Sequence, residues 1–298
     1  MGQFHVIAGA DATPVHPTIR KIGLADLKHA LARGLDDFSA IPTHAIFLCL
    51  IYPLIGIVLA AVMLGYNVLP LIFPITAGFA LLGPVAAVHL YELSRRREAG
   101  LDVAWGNAFD VLHSPSFPAI AAIGAVLFVL FLAWIATAQV LYQSLFGVLR
   151  PESMESFLSD IFTTPTGWTL IAIGNAIGLV FAVVAFTLSV VTFPLLLDRD
   201  IGAAEAVATS VRAVAANPIT MAVWGVIVAA LLGVGFLTLF VGLAVVIPVL
   251  GHATWHLYRR VVEPVPGAPT EFRRAPKGHR YAAQFPASLF ASEREDRS

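Results

Sequence analysis

From Leu24 onward, apolar residues recur at Leu24, Leu27, Leu31, Leu35 and Phe38, with Asp26, Lys28, Arg33 and Asp36 between them. Steps of three and four predict a helix over 23–40 carrying one apolar stripe. Beside a hydrophobic span, such a helix lies most simply along a membrane surface. After Pro42 the pattern changes to long apolar runs, each near the ~20 residues needed to cross about 30 Å of hydrocarbon. They predict spans at 44–65, 69–91, 118–142, 166–197, 219–238 and 240–258. The last two form one continuous apolar stretch, in which Gly233, Gly235 and Gly242 permit a reversal. Surface-type helices are also expected at 100–113 and 201–216.

Placing Pro42, Pro115 and Pro218 in register aligns Leu31, Leu35 and Phe38 with Ala104, Ala108 and Val111, and with Val207, Val211 and Val214. Asp37 and Asp110 coincide, and Ala213 takes that place in the third copy. Proline suits the first turn of a helix, and Ser114 and Asn217 before it are good caps. The expected architecture is therefore all-α and polytopic: six transmembrane helices as three hairpins, each preceded by a cytoplasmic amphipathic interfacial helix. One membrane domain covers 23–262, between a flexible arm at 1–22 and a proline-rich, disordered cytoplasmic tail at 263–298. Pro84, Pro194 and Pro248 predict kinks in the even-numbered spans.

Composition agrees with the pattern. The 298 residues are 58% hydrophobic and 12% charged, against roughly 45–50% and 25% in soluble domains, and mean hydropathy is +0.83. A net charge of −1 gives no basis for nucleic-acid binding. The single cysteine, Cys49, excludes an internal disulfide framework and a Cys-based metal site. No short apolar core followed by small residues marks a cleaved signal peptide. Of the lysines and arginines, only Arg150 falls in an expected odd-to-even connection. The others lie in the arm, at Arg95-Arg96-Arg97, at Arg199 and Arg212, and from Arg259 onward. The positive-inside rule then puts both termini in the cytoplasm.

Four separated motifs carry a resemblance. They are Gly83-Pro84 through His89-Leu-Tyr-Glu-Leu-Ser-Arg-Arg-Arg97, Phe193-Pro-Leu-Leu-Leu-Asp-Arg-Asp-Ile-Gly202, Ser210–Pro218 and Gly251-His-Ala-Thr-Trp-His-Leu-Tyr-Arg259. Together, over roughly residues 20–262, the chain resembles an uncharacterised, domain-of-unknown-function family of bacterial polytopic inner-membrane proteins. The resemblance implies a multi-pass location in the bacterial cytoplasmic membrane and supplies no catalytic residues. Some similar sequences are loosely labelled as related to terminal-oxidase subunit I, which makes the histidines worth testing.

His252 and His256 stand one helical turn apart and could face one metal or haem, with His89 as a partner at similar depth. A haem-copper centre needs a larger histidine set, so interfacial hydrogen bonding is the favoured role and no cofactor or metal is expected. Asn175, within Gly174-Asn-Ala-Ile-Gly178, is a candidate contact to a neighbouring helix or a substrate. Asp198, Arg199, Asp200 and Arg212 form a charged elbow, in which Asp200 is placed to cap the next helix and the charges set hairpin angle or dock a partner. No Asp, Glu, Lys or Arg lies in the middle of an expected span, and no phosphate loop, nucleophile elbow or zinc-protease helix occurs. The expectation is a non-enzymatic scaffold, assembly or accessory factor. It would act by helix packing, with the bilayer and another membrane protein as partners. Two alternatives stand beside it: a transporter of a neutral or amphiphilic molecule, and a haem-associated accessory subunit of a respiratory complex.

Overall fold

Prolines at the starts of the apolar runs fix where helices begin. Pro118, Pro165 and Pro218 each sit in the first turn of one, where a missing N–H costs nothing. The computed structural model describes residues 16–41, 56, 69–148, 151, 153–238 and 241–264. The expected first span at 44–65 (Gly56 apart), Arg150 and the tail beyond 264 lie outside the described residues. Helices α1 (Leu24–Ala40), α2 (Ile72–Phe79) and α3 (Gly83–Glu98) come first, followed by a 3-10 helix, Trp105–His113. Then come α4 (Phe117–Phe146), α5 (Met154–Thr163), α6 (Pro165–Ser189) and α7 (Thr192–Asp198). The last three are α8 (Ala203–Ala216), α9 (Pro218–Leu237) and α10 (Leu243–Val261).

Among the described residues, four stretches are long and apolar enough to cross a membrane: Ile72–Glu98, Phe117–Phe146, Pro165–Asp198 and Pro218–Leu237. They coincide with the second to fifth expected spans. Exposed Val129, Val140, Leu179, Val180, Val183 and Val226 give them an apolar outer belt. The sixth expected span does form a helix, α10, but it is not among these four. Its second half carries His252, His256, Arg259 and Arg260, and residues 250–258 are all buried by protein.

What buries α10 is α1. The two run antiparallel, with Asp26 meeting Arg260 at one end and Asp37 meeting His256 at the other. The face of α1 that packs is Leu27, Ala30, Gly34 and Asp37. Leu24 and Leu35 of the expected stripe are 63% and 53% exposed. Gly34 makes the approach possible: a Cβ there would lie 2.6 Å from the Ala253 backbone nitrogen. Parallel to α10 on its other side runs α3, where Gly251 leaves room for Leu90. Residues 16–22, part of the arm expected to be flexible, are instead tied down. Ile19 bridges Val262, Arg20 N–H donates to the Val261 carbonyl at 2.7 Å, and the Asn217 amide holds Ile22 and Arg20.

The segment expected as a surface helix at 100–113 is a 3-10 helix over Trp105–His113. The loop expected before the fourth span contains the short helix α5, capped by Ser153, whose side chain accepts from Ser156 N–H. Pro84 opens α3 after a 3-10 turn, and Pro194 lies just beyond the break between α6 and α7. Pro248 is accommodated inside α10 without a break. The break is repaired by Ser210 of α8. Its hydroxyl donates to the Thr187 carbonyl at 2.7 Å and accepts from Val191 N–H at 3.2 Å, filling the i to i−4 bond that is open there.

Because Ser210 is fully buried, Ser210→Ala strands a donor and an acceptor and should cost roughly 1–3 kcal/mol. Ser144→Ala, which removes an exposed hydroxyl bonded to the Leu141 carbonyl, should cost under about 0.5 kcal/mol. Thermal unfolding of the purified variants measures both, and equal losses would show that the repair carries no energy.

Candidate functional site: a buried polar cluster at one end of the bundle

The ends of α3, α7 and α10 meet at one end of the bundle. Glu98 accepts from Trp255 Nε1 at 2.7 Å and from Arg259 Nε at 2.9 Å. Asp198 accepts from the Tyr258 hydroxyl at 2.5 Å and from Arg259 at 3.4 Å. These contacts explain why the elbow is charged: Asp198 and Arg259 pin α7 to α10. Arg199 donates to the Glu263 carbonyl. Arg212 pairs within α8 with Glu205 and Thr209. Asp200 does not cap the following helix. The cap position is Gly202, whose φ of 77° is a conformation glycine adopts without strain.

Deeper, Asp37 is 1% exposed and receives three donors. They are the Ser94 hydroxyl at 2.6 Å, His256 Nε2 at 2.7 Å and the Arg97 guanidinium. Ser94 has one proton and gives it to Asp37, so the 2.7 Å contact between Ser94 Oγ and His252 Nδ1 requires His252 to donate. Both tautomers follow: His252 carries Nδ1–H and His256 carries Nε2–H. His252 Nε2 is then a buried acceptor with no hydrogen-bond partner. Burial pushes the Asp37 carboxyl up, but the bonds from His256, Ser94 and Arg97 outweigh it and hold the group at about 2.

The three consecutive arginines are structural. Arg95 makes a two-pronged pair with Glu92 at 2.7 and 2.9 Å, Arg96 donates to the Asp102 carbonyl and reaches Asp110, and Arg97 holds Asp37. Asn107 also donates to Asp110, at 2.8 Å. The aspartates that coincide in the proline alignment, Asp37 and Asp110, thus each accept from one of these arginines. Asp37, Glu92 and Ser94 were not among the residues singled out from sequence. The coincidence of Asp37 with Asp110 was the available signal.

The other sequence candidates fall elsewhere. His89 donates Nδ1–H to the Ala108 carbonyl at 2.8 Å and packs on Phe109. His252 and His256 do converge, on Ser94 and Asp37. No group of three or more His, Cys, Asp or Glu side chains among the described residues could hold a metal. Asn175 is exposed and donates to the Ile171 carbonyl of its own helix, so it makes no bond across helices. The neighbouring glycines do serve packing: a Cβ at Gly178 would sit 3.1 Å from the Trp134 ring.

A depressed carboxyl fixes the sign of the acid response. The stabilisation is present above the unfolded value of 3.8 and is lost as pH falls toward 2. Its size is about 2 kcal/mol, from 1.36 kcal/mol per unit. Asp37→Asn should remove most of the stability change between pH 4.5 and 2.5, read by thermal unfolding across that range. An unchanged acid slope in the variant would show that Asp37 is not the titrating group.

No curated protein and no solved structure matches the chain. Of the four motifs, the one ending at Arg97 and the start of Phe193–Gly202 fall within residues 71–198, and the other two lie beyond. That stretch, residues 71–198, is similar to a family described as predicted integral membrane protein (DUF2189).

Proposed function

We propose that the protein is a non-enzymatic scaffold or accessory factor of the bacterial cytoplasmic membrane, working through contacts made by its polar end. The observation that carries this reading is a rigid head with an apolar outside. The buried pairs of Asp37, Glu92, Arg95, Arg96 and Arg97 lock α1, α3 and the 3-10 helix together. Leu24, Leu35, Phe109 and Leu112 stand exposed on that framework. Fixed apolar side chains outside the four long apolar stretches suit a protein partner. In this reading the head and both termini are cytoplasmic, and the span expected from sequence at 44–65, together with α10, completes six spans in three hairpins. Equivalent burial before Pro42 and Pro218 supports the repeat: Leu27, Ala30, Gly34 and Asp37 occupy the same places as Ala203, Ala206, Ser210 and Ala213.

Haem ligation would draw on the ring nitrogens that do not donate to a protein acceptor: Nε2 of His89 and of His252, and Nδ1 of His256. For transport of a neutral or amphiphilic molecule, the candidate contact Asn175 donates its amide to the Ile171 carbonyl of its own helix.

Photo-crosslinking residues at Leu35 and Leu112 should give discrete protein adducts in native membranes, and one at the lipid-facing Val129 should give lipid adducts alone. Lipid adducts at all three positions would rule out the docking role. Orientation is checked with cysteines at Lys28 and Val148, both exposed. A membrane-impermeant maleimide added outside should label Val148→Cys and spare Lys28→Cys. Arg96 cannot serve for this because it is fully buried.

A further inference from the structure

Where α8 crosses α4 and α6 there is a cavity of about 360 Å³ lined by Ile123, Val126, Leu188, Ala203, Ala204 and Val207. Every lining side chain is apolar, so a water inside would find no side-chain partner, and ordered buried waters need two to four polar partners. On the α8 side the cavity is bounded by the small side chains of Ala203 and Ala204. The cavity is open, and its rim decides what fills it. Val126 is 49% exposed and continues on α4 into Val129 at 64%, and Val183 and Val184 on α6 are 53% and 40% exposed. The mouth is therefore continuous with the apolar belt of the membrane-crossing helices.

We propose that this cavity binds one acyl chain of a bilayer phospholipid, seated beneath α8. The position has a structural consequence. The same helix inserts Ser210 into the break between α6 and α7 and places Thr192 Oγ1 3.4 Å from the Ala206 carbonyl. An acyl chain wedged between α8 and α4 packs on Ala203 and Val207, which lie on the same stripe of α8 as Ser210, and so supports the helix that repairs the break. The site is independent of the docking role of the head, because none of its six residues belongs to the polar cluster.

The test is native mass spectrometry of the full chain released from mild detergent, with the bound lipid identified by mass. Wild type should retain about one diacyl phospholipid per chain. Ala204→Trp, which fills the mouth from an exposed position, should reduce retention at least tenfold. Val129→Trp on the same belt, and Val207→Ala, which widens the cavity, should both keep it. Equal retention in Ala204→Trp and wild type, or release of lipid from wild type as easily as from Ala204→Trp, would overturn the proposal. So would an adduct with the mass of a free fatty acid. If Ala204→Trp fails to fold, Val126→Trp fills the cavity from α4 and must show the same loss.

Discussion

Asp37 is a carboxylate taken out of water, and the packing of α1, α3 and α10 depends on how its charge is met. An ion in a low-dielectric interior is strongly penalised unless its lone pairs are filled. Here the donors come from two other helices: Ser94 and Arg97 from α3, and His256 from α10. Removing any one of the three elements leaves a buried charge without its partners. An apolar core of the same volume could hold these helices as tightly, so affinity is not what the charges add. What they add is register. Gly34 against Ala253 sets how close α1 comes to α10, and Asp37 against His256 sets where along α10 it stops.

Length explains why this polar assembly sits at the end of the bundle. Helix α4 has 30 residues and the α6–α7 stretch has 34. At 1.5 Å per residue they span about 45 and 50 Å, against roughly 30 Å of hydrocarbon. Tilt and the break between α6 and α7 take up part of the excess, and the remainder lies beyond the apolar slab. At one end the excess of the α6–α7 stretch holds Asp198, which meets Tyr258 and Arg259 of α10. At the other the excess of α4 holds the stacked pair Tyr142 and Phe146, with Phe157 of α5 beside Tyr142. Aromatic residues there fit the headgroup level. The two ends therefore differ in kind, one cross-linked by ion pairs and the other faced with rings.

The extent of the apolar runs and the prolines that open them were legible along the chain, and α4, α6–α7 and α9 begin and end close to the expected limits. Burial was harder to read. Of the stripe Leu24, Leu27, Leu31, Leu35 and Phe38, Leu27 is buried and Leu31 and Phe38 pack against the core, while Leu24 and Leu35 are exposed. The closest approach to α10 is made beside the stripe, at Gly34, because helices that come close need Gly and Ala rather than Leu. Sequence hydrophobicity marks part of the buried face and misses its closest contact. The arginine triplet shows the same limit: a basic run reads as a solvated membrane anchor until long-range partners are known. Asp37 lies 57 residues from Ser94 and 219 from His256, separations that no local pattern reports.

The helices before Pro42 and Pro218 show how one burial pattern can serve two ends. Both bury residues at the same places before the proline, and the chemistry in those places differs. Where α1 has Gly34, which lets a backbone approach, α8 has Ser210, which fills a broken backbone bond. Where α1 has Asp37 at the centre of the charge cluster, α8 has a buried Ala213. The neighbours account for the difference. Helix α10 runs unbroken past α1, so the space permits only glycine. The α6–α7 stretch is broken beside α8, so the same space must be filled by a hydroxyl that can both donate and accept. A serine in place of Gly34 would meet the Ala253 backbone, and a glycine in place of Ser210 would leave Val191 N–H and the Thr187 carbonyl unmet. The identity of one small residue is thus set by whether the helix across from it is continuous.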